Sequence, residues 1–250
     1  MILFNSSKTN KNAFASTKAI QSPTSSKILL AKAEDGLNNI ILRLKEEKNI
    51  DLSRHCARVF VIMDRSGSME NLYLNGSVQM ALTRLLPLAL KFGNNRELEV
   101  YLSNENCAKM PISINLSNYE NYVRNIILKR GFVPAGGTRY SPAIEHTITN
   151  YNDKSTYPAF GIFITDGDNF DRIPTDKAII KSSNHKIFYQ FVGIGNSNFN
   201  YLKNLNKLSG RKVDNTAFIR ISDFSDLNDN QLYAKLLEQY PNWLKTMEIK

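Results

Sequence analysis

Two short runs constrain this chain more than any other feature: "ARVFVIMD" at residues 57–64 and "AFGIFITD" at residues 159–166. Each is apolar at successive rather than alternate positions, and each then stops at an aspartate. A strand of that kind must be covered on both faces, as happens in parallel sheets sandwiched between helices. The rest of the chain supplies the covers. Apolar residues recur at helical spacing over 28–44 (interrupted at Gly36), 78–92 (with Pro87 expected to kink it), 175–182, 201–208 and 229–240, where Pro241 is expected to stop the helix. Further helices are expected from Ser117 or Asn118 through Arg130 and from near Pro142. Strands are expected within 97–103, 108–114, 187–195 and 217–221. This alternation predicts an α/β fold: a doubly wound, mostly parallel central sheet with helices on both faces and one short antiparallel edge strand.

At 250 residues and 42% hydrophobic content, one core suffices. Residues 1–27 are mostly Ser, Asn, Thr and Lys without apolar periodicity, and read as a flexible basic arm; residues 28–250 read as one domain with a helical lead-in over 28–56. The chain carries no signal-peptide core and no apolar run long enough to span a bilayer, which implies a cytoplasmic protein without a membrane partner. Cys56 and Cys107 make neither a ligand set nor a disulfide framework. His55, His146 and His185 are isolated from one another, and surface or edge positions are expected for them. The net charge of +9 would suit nucleic acid, but the lysines are scattered with few aromatics between them, so a solvated basic surface is the better account.

The chemistry gathers where the two apolar strands end. Open α/β sheets bind ligands outside the carboxyl ends of their strands, and Asp64 and Asp166 both stand at that edge. Between them in sequence lies "AGGTRYSP", residues 135–142, a glycine pair followed by the hydroxyl of Thr138. Three loops therefore deliver oxygen alone: Asp64, Ser66 and Ser68 from the first, Thr138 from the second, Asp166 from the third. Such a set suits a hard divalent cation, Mg²⁺ first, with Mn²⁺ or Ca²⁺ as alternatives. In "VIMDRSGSMENLYLNGS", residues 61–77, no helix or strand signal follows the strand end until Val78. Alternation in an extended turn sets Asp64, Ser66 and Ser68 to one side, with Gly67 allowing the bend. "TDGDNFD", residues 165–171, is not a calcium loop, because Phe170 stands where a third oxygen is needed. Asp168 and Asp171 are read as turn or cap residues, with Asp168 a candidate for a place behind the ligands.

"DRSGS", "GGT" and "TDG" on successive strand-end loops resemble the metal-ion-dependent adhesion site (MIDAS) of von Willebrand factor type A (vWA) domains. From about Leu52 to Trp243 the chain further resembles the vWA proteins encoded with bacterial tellurite and toxic-cation resistance systems, through "LYLNGSVQ", "YQFVGIG" and "LYAKLLEQYPNWL". The resemblance implies that Ser66, Ser68 and Thr138 coordinate the metal, with Asp64 and Asp166 holding it directly or through water. It also implies a protein-protein interaction module, in which the cation binds an acidic side chain of a partner in a bacterial or phage stress-response setting. Arg65 and Arg139, beside the ligands, either sharpen a preference for acidic partners or point into solvent.

Two other classes compete. A metal-dependent phosphohydrolase of haloacid dehalogenase type also begins with a strand-end aspartate, but it needs a second aspartate two residues on as general acid, and that position is Ser66. No P-loop or dinucleotide fingerprint appears either, since "GIGNSN" lacks its third glycine, and no enzyme is expected. Nucleic-acid binding through the basic arm ranks last.

Overall fold

The computed structural model describes residues 23–151 and 155–249. In chain order the helices and strands are α1 (Pro23–Lys48), β1 (Arg58–Asp64), α2 (Glu70–Leu74), α3 (Ser77–Phe92), β2 (Glu99–Ser103), β3 (Cys107–Lys109), α4 (Ser141–Asn150), β4 (Ala159–Thr165), α5 (Arg172–Ser182), β5 (Ile187–Ile194), α6 (Asn200–Asn204), β6 (Thr216–Ile221), α7 (Asp229–Leu236) and α8 (Tyr240–Thr246). The strands form one sheet in the order β3-β2-β1-β4-β5-β6, parallel except for β3. β1 and β4 are central neighbours, paired from Arg58↔Ala159 to Met63↔Ile164.

The successive apolar positions of β1 divide between two cores. Val59, Val61 and Met63 pack under α1, α3, α7 and α8, while Phe60 and Ile62 pack under α4, α5 and α6. The order also fixes where a crevice opens. From β1 the chain builds β2 and β3 on one side, then returns through α4 to lay β4 on the other side of β1. The topological switch point lies between β1 and β4, and the two strand-end aspartates stand on either side of it.

Several local expectations are corrected. The arm expected over 1–27 is helical from Pro23, where α1 starts, and its remaining residues lie outside those described. Gly36 does not interrupt α1; a Cβ there would stand 2.5 Å from the Asp229 Cβ, so the glycine lets α1 and α7 touch. Beside that contact, buried Arg84 of α3 donates to the Asp229 carboxylate at 2.7 Å. The helix expected through residues 117–130 is replaced by turns, one π-helical turn (Val123–Ile127) and a 3₁₀ turn (Leu128–Arg130). Side chains capture the backbone there: Asn115 N donates to Asn118 Oδ1 and Ser117 N to Asn115 Oδ1, each at 2.9 Å, in competition with helix bonds. The helix expected over 201–208 is shorter, α6 followed by a 3₁₀ turn at Leu205–Lys207. Pro241 opens α8 rather than closing α7, because proline lacks only an N–H that a first turn leaves unused. His55 is buried rather than superficial, with Nε2 2.9 Å from the Tyr240 hydroxyl and its ring edge-on to Phe92.

Candidate functional site

At the switch point β1 delivers Asp64 into the interior, 1% exposed. The turn after it is not extended as expected: Gly67–Met69 make a 3₁₀ turn that runs into α2. Buried Met69 and Tyr73 anchor the turn, and the Tyr73 hydroxyl donates to the main-chain oxygen of Asp64 at 3.0 Å. The compact turn still brings the three polar residues together. Ser66 N donates to Asp64 Oδ1 at 2.7 Å, the Ser66 and Ser68 hydroxyls lie 3.1 Å apart, and Ser68 Oγ donates to Asp166 Oδ1 at 2.9 Å. Four of the five expected ligands thus form one hydrogen-bonded chain across the β1–β4 crevice.

Thr138 is brought alongside by its backbone. Ala135 N donates to Arg65 O at 2.8 Å and Gly67 N to Gly136 O at 3.2 Å, so the second loop is laid on the first. Gly136 makes this bend at φ +77°, in the left-handed region that glycine enters without strain. On its other side Phe170 N donates to Thr138 O at 3.0 Å, tying Thr138, itself 8% exposed, to the third loop. Asp171 fixes the start of α4: its two carboxylate oxygens accept from Tyr140 N and Ser141 N, each at 3.0 Å. Burial pushes that carboxyl up, but these bonds and one from Asn169 outweigh it and hold it below the usual range. Asp171 is therefore a cap, as expected, but of α4: at the N-cap position of its own helix α5 its side chain makes no capping bond.

The residues flanking the ligands divide. Arg65 faces the second loop, donating to Val133 O at 3.2 Å and standing 5.7 Å over the Phe132 ring, so it braces that loop. Arg139 is exposed, with its backbone N bonded to Asn104 O. Asp168 pairs with Arg172 at 3.0 Å, and its Oδ1 is buried without a hydrogen-bond partner.

Thr165 and Tyr73 are not singled out from the sequence, whereas Gly136 belongs to the glycine pair marked there. Thr165 is fully buried and donates from Oγ1 to Asp64 Oδ2 at 2.6 Å. Its signal was present, since it is the hydroxyl immediately before the aspartate in "TDG".

The electrostatics leave this cluster short of positive charge. Burial pushes the Asp64 carboxyl up to about 6; hydrogen bonds from Thr165 and Ser66 oppose the shift, and the Asp166 charge adds to it. Asp166 is also raised by burial, against the hydrogen bond from Ser68. Two carboxylates therefore share a crevice with neutral donors alone, an arrangement that favours a bound cation. Among the described residues no three or more His, Cys, Asp and Glu side chains gather to hold a metal. The donor set is instead two carboxylates with two serine hydroxyls, and the Thr138 loop beside them. Oxygen ligands of this kind fit a hard divalent ion.

Comparison with known proteins gives the same architecture. The family model described as vWA-TerF-like, a vWA domain found in the TerF C terminus, matches residues 56–250. The uncharacterised protein YcbR of Bacillus subtilis (strain 168) is 38% identical over 204 residues, 80% of this chain and 82% of that protein. Proximal thread matrix protein 1 from the mussel byssus, solved with a zinc-occupied MIDAS motif, superimposes with a TM-score of 0.53 at 18% identity, covering 73% of this chain and 48% of that one. Manganese-loaded TRAP protein of Plasmodium vivax gives a TM-score of 0.53 at 14% identity, covering 76% and 75%. At these identities the two structures share the fold.

Proposed function

We infer that this chain, which belongs to the vWA-TerF-like family of von Willebrand factor type A domains, is a metal-dependent protein-binding module. The observation that carries the reading is Asp64: a carboxylate 1% exposed, held by Ser66 and Thr165, facing Asp166 through two serine hydroxyls. Asp64, Ser66, Ser68 and Asp166 would hold the ion, with Thr138 as the fifth ligand. Related folds that carry zinc in a MIDAS motif or are loaded with manganese support a divalent cation, and the all-oxygen donor set favours Mg²⁺ among them.

With the serine and threonine hydroxyls as its direct ligands and the two aspartates acting mainly through water, the ion would supply a positive charge left largely uncompensated, and so a point of attachment for a carboxylate. The chain's own residues do the rest. The crevice fixes the serines, the Gly136 bend brings up Thr138, and exposed Arg139 adds positive potential at the mouth. The partner is accordingly a protein that offers an acidic side chain. We place the module in a cytoplasmic bacterial or phage stress response of the tellurite-resistance kind, on the strength of its family. We propose no enzymatic activity: Ser66 occupies the place of the acid that a phosphohydrolase of haloacid dehalogenase type requires.

The test compares capture of one partner by the wild type in Mg²⁺, the wild type in EDTA and Thr138→Ala in Mg²⁺. Recovery in the first alone is expected. Equal recovery in all three overturns the metal bridge, and Mg²⁺-dependent phosphate release from a general phosphatase substrate would revive the enzyme reading.

A further inference from the structure

Single exposed apolar residues are ordinary on any surface. Their placement here is not scattered. Of the eight large hydrophobic side chains most exposed among the described residues, four lie in the chain on or just after the loops that carry the candidate ligands: Leu74 ends the helix after the first loop, Val133 lies on the second, and Phe170 and Ile173 lie on and just after the third. Phe170, 83% exposed, and Ile173, 71% exposed, are the two largest values.

The exposure of Phe170 is imposed by the loop that carries it. Its neighbours Asn169 and Asp171 are both buried and bonded to each other at 2.9 Å, and both also bond to Thr175. Its own N–H is bonded to Thr138 O. The backbone is pinned before, at and after residue 170, so the ring has no route into the core. It rests instead over Gly137, its Cε2 3.3 Å from where a Cβ would stand, one residue from the expected ligand Thr138. An aromatic side chain kept in water beside a charged centre by its pinned backbone has the character of a binding hot spot.

We propose that Phe170, with Ile173 at the start of the following helix, forms the apolar half of a two-part recognition surface, so that the partner segment carries a bulky apolar side chain close to its acidic one. The inference rests on the metal-bridge reading and names the partner chemistry it takes. Acidity is fixed by the cation and by exposed Arg139, the apolar neighbour by Phe170. The surface therefore selects a short motif and not acidity in general.

The test uses synthetic peptides with one central aspartate flanked by Leu or Phe, or by Ser at the same positions, applied to the full chain in Mg²⁺ and in EDTA. Apolar-flanked peptides should bind about tenfold more tightly in Mg²⁺, the scale of one well-packed aromatic contact. Phe170→Ser should abolish most of that preference while leaving the melting temperature and its rise with Mg²⁺ unchanged. Mg²⁺-dependent binding that ignores the flanks, or a preference that survives Phe170→Ser, overturns this inference and leaves the metal bridge standing. Aspartate peptides that bind equally in Mg²⁺ and EDTA, or not at all in either, overturn both.

Discussion

β1 has a buried ionisable side chain near each end, and the two ends solve the same problem oppositely. Before the strand, His55 lies among Phe92 and Tyr240, and burial lowers its pKa to about 4. Neutral imidazole is what that pocket wants, and the Tyr240 hydroxyl satisfies it. At the strand's last residue, burial raises Asp64 to about 6, yet every group bonded to its carboxylate is neutral and its nearest charge is another carboxylate. Burial of a titratable group is thus common to both ends and marks neither as functional. The difference lies in what remains unmet: nothing at the His55 end, a positive charge at the Asp64 end.

The comparison can be broken most forcefully at the closed end. Tyr240 is fully buried and stacks on Phe160 and Trp243, so Tyr240→Ala should cost about 3–5 kcal/mol in urea unfolding. The rise in stability with Mg²⁺ should persist in whatever fraction folds. Loss of the metal response in that variant would mean the two ends are not independent.

A pH series sharpens the contrast, because the two groups have opposite signs. His55 has a folded pKa of about 4 against 6.5 when unfolded, so the unfolded chain takes up more protons and stability falls as pH drops from about 6.5 to 4. Asp64 has a folded pKa of about 6 against 3.8, so without metal the folded chain takes up more protons and stability rises as pH drops from about 6 to 4. Each contribution is worth roughly 3 kcal/mol at full extent. In the metal-free wild type they largely offset one another. Asp64→Asn removes the second, so urea titrations of the variant should show acid destabilisation steeper than the wild type by roughly 3 kcal/mol between pH 6.5 and 4. Parallel profiles for the two proteins would show that Asp64 is not raised.

How far these ends could be read from sequence differs for a physical reason. The Asp64 end was legible because its chemistry is local: Asp64, Ser66 and Ser68 lie within one turn, and Thr138 and Asp166 each follow a glycine pair or a buried strand. The central pairing of β1 with β4 was equally open, since strands apolar on both faces belong in the middle of a covered sheet. The His55 end was not legible. Its partner Tyr240 is 185 residues away, and Pro241 was read by its power to end a helix when it starts one. The residues around 115–121 fail differently, since Ser117 or Asn118 reads as the cap of a helix where asparagine side chains hold turns instead. Arg65 shows the limit at the site itself: sequence placed it beside the ligands, but only contact with Phe132 and Val133 reveals that it faces away.

The smallest expected effect on folding is at Thr138. Removing one hydroxyl at the mouth of the crevice should change unfolding stability by less than about 1 kcal/mol. Thr138→Ala should nevertheless require several-fold more Mg²⁺ for the same thermal shift. An unchanged metal requirement would remove Thr138 from the ligand set and leave the other four residues in place.

The central claim is that the Asp64 end is completed by a divalent cation, and the most direct test is the melting temperature at pH 7 as MgCl₂ is raised from zero to millimolar levels, for the wild type and Asp64→Ala. A site present only in the folded chain should stabilise the wild type by about 2.7 kcal/mol once the ion reaches a hundred times its dissociation constant. The variant should give a flat line at every concentration. A wild-type melting curve that ignores Mg²⁺, Mn²⁺ and Ca²⁺ alike, or a variant that responds as the wild type does, would contradict the account.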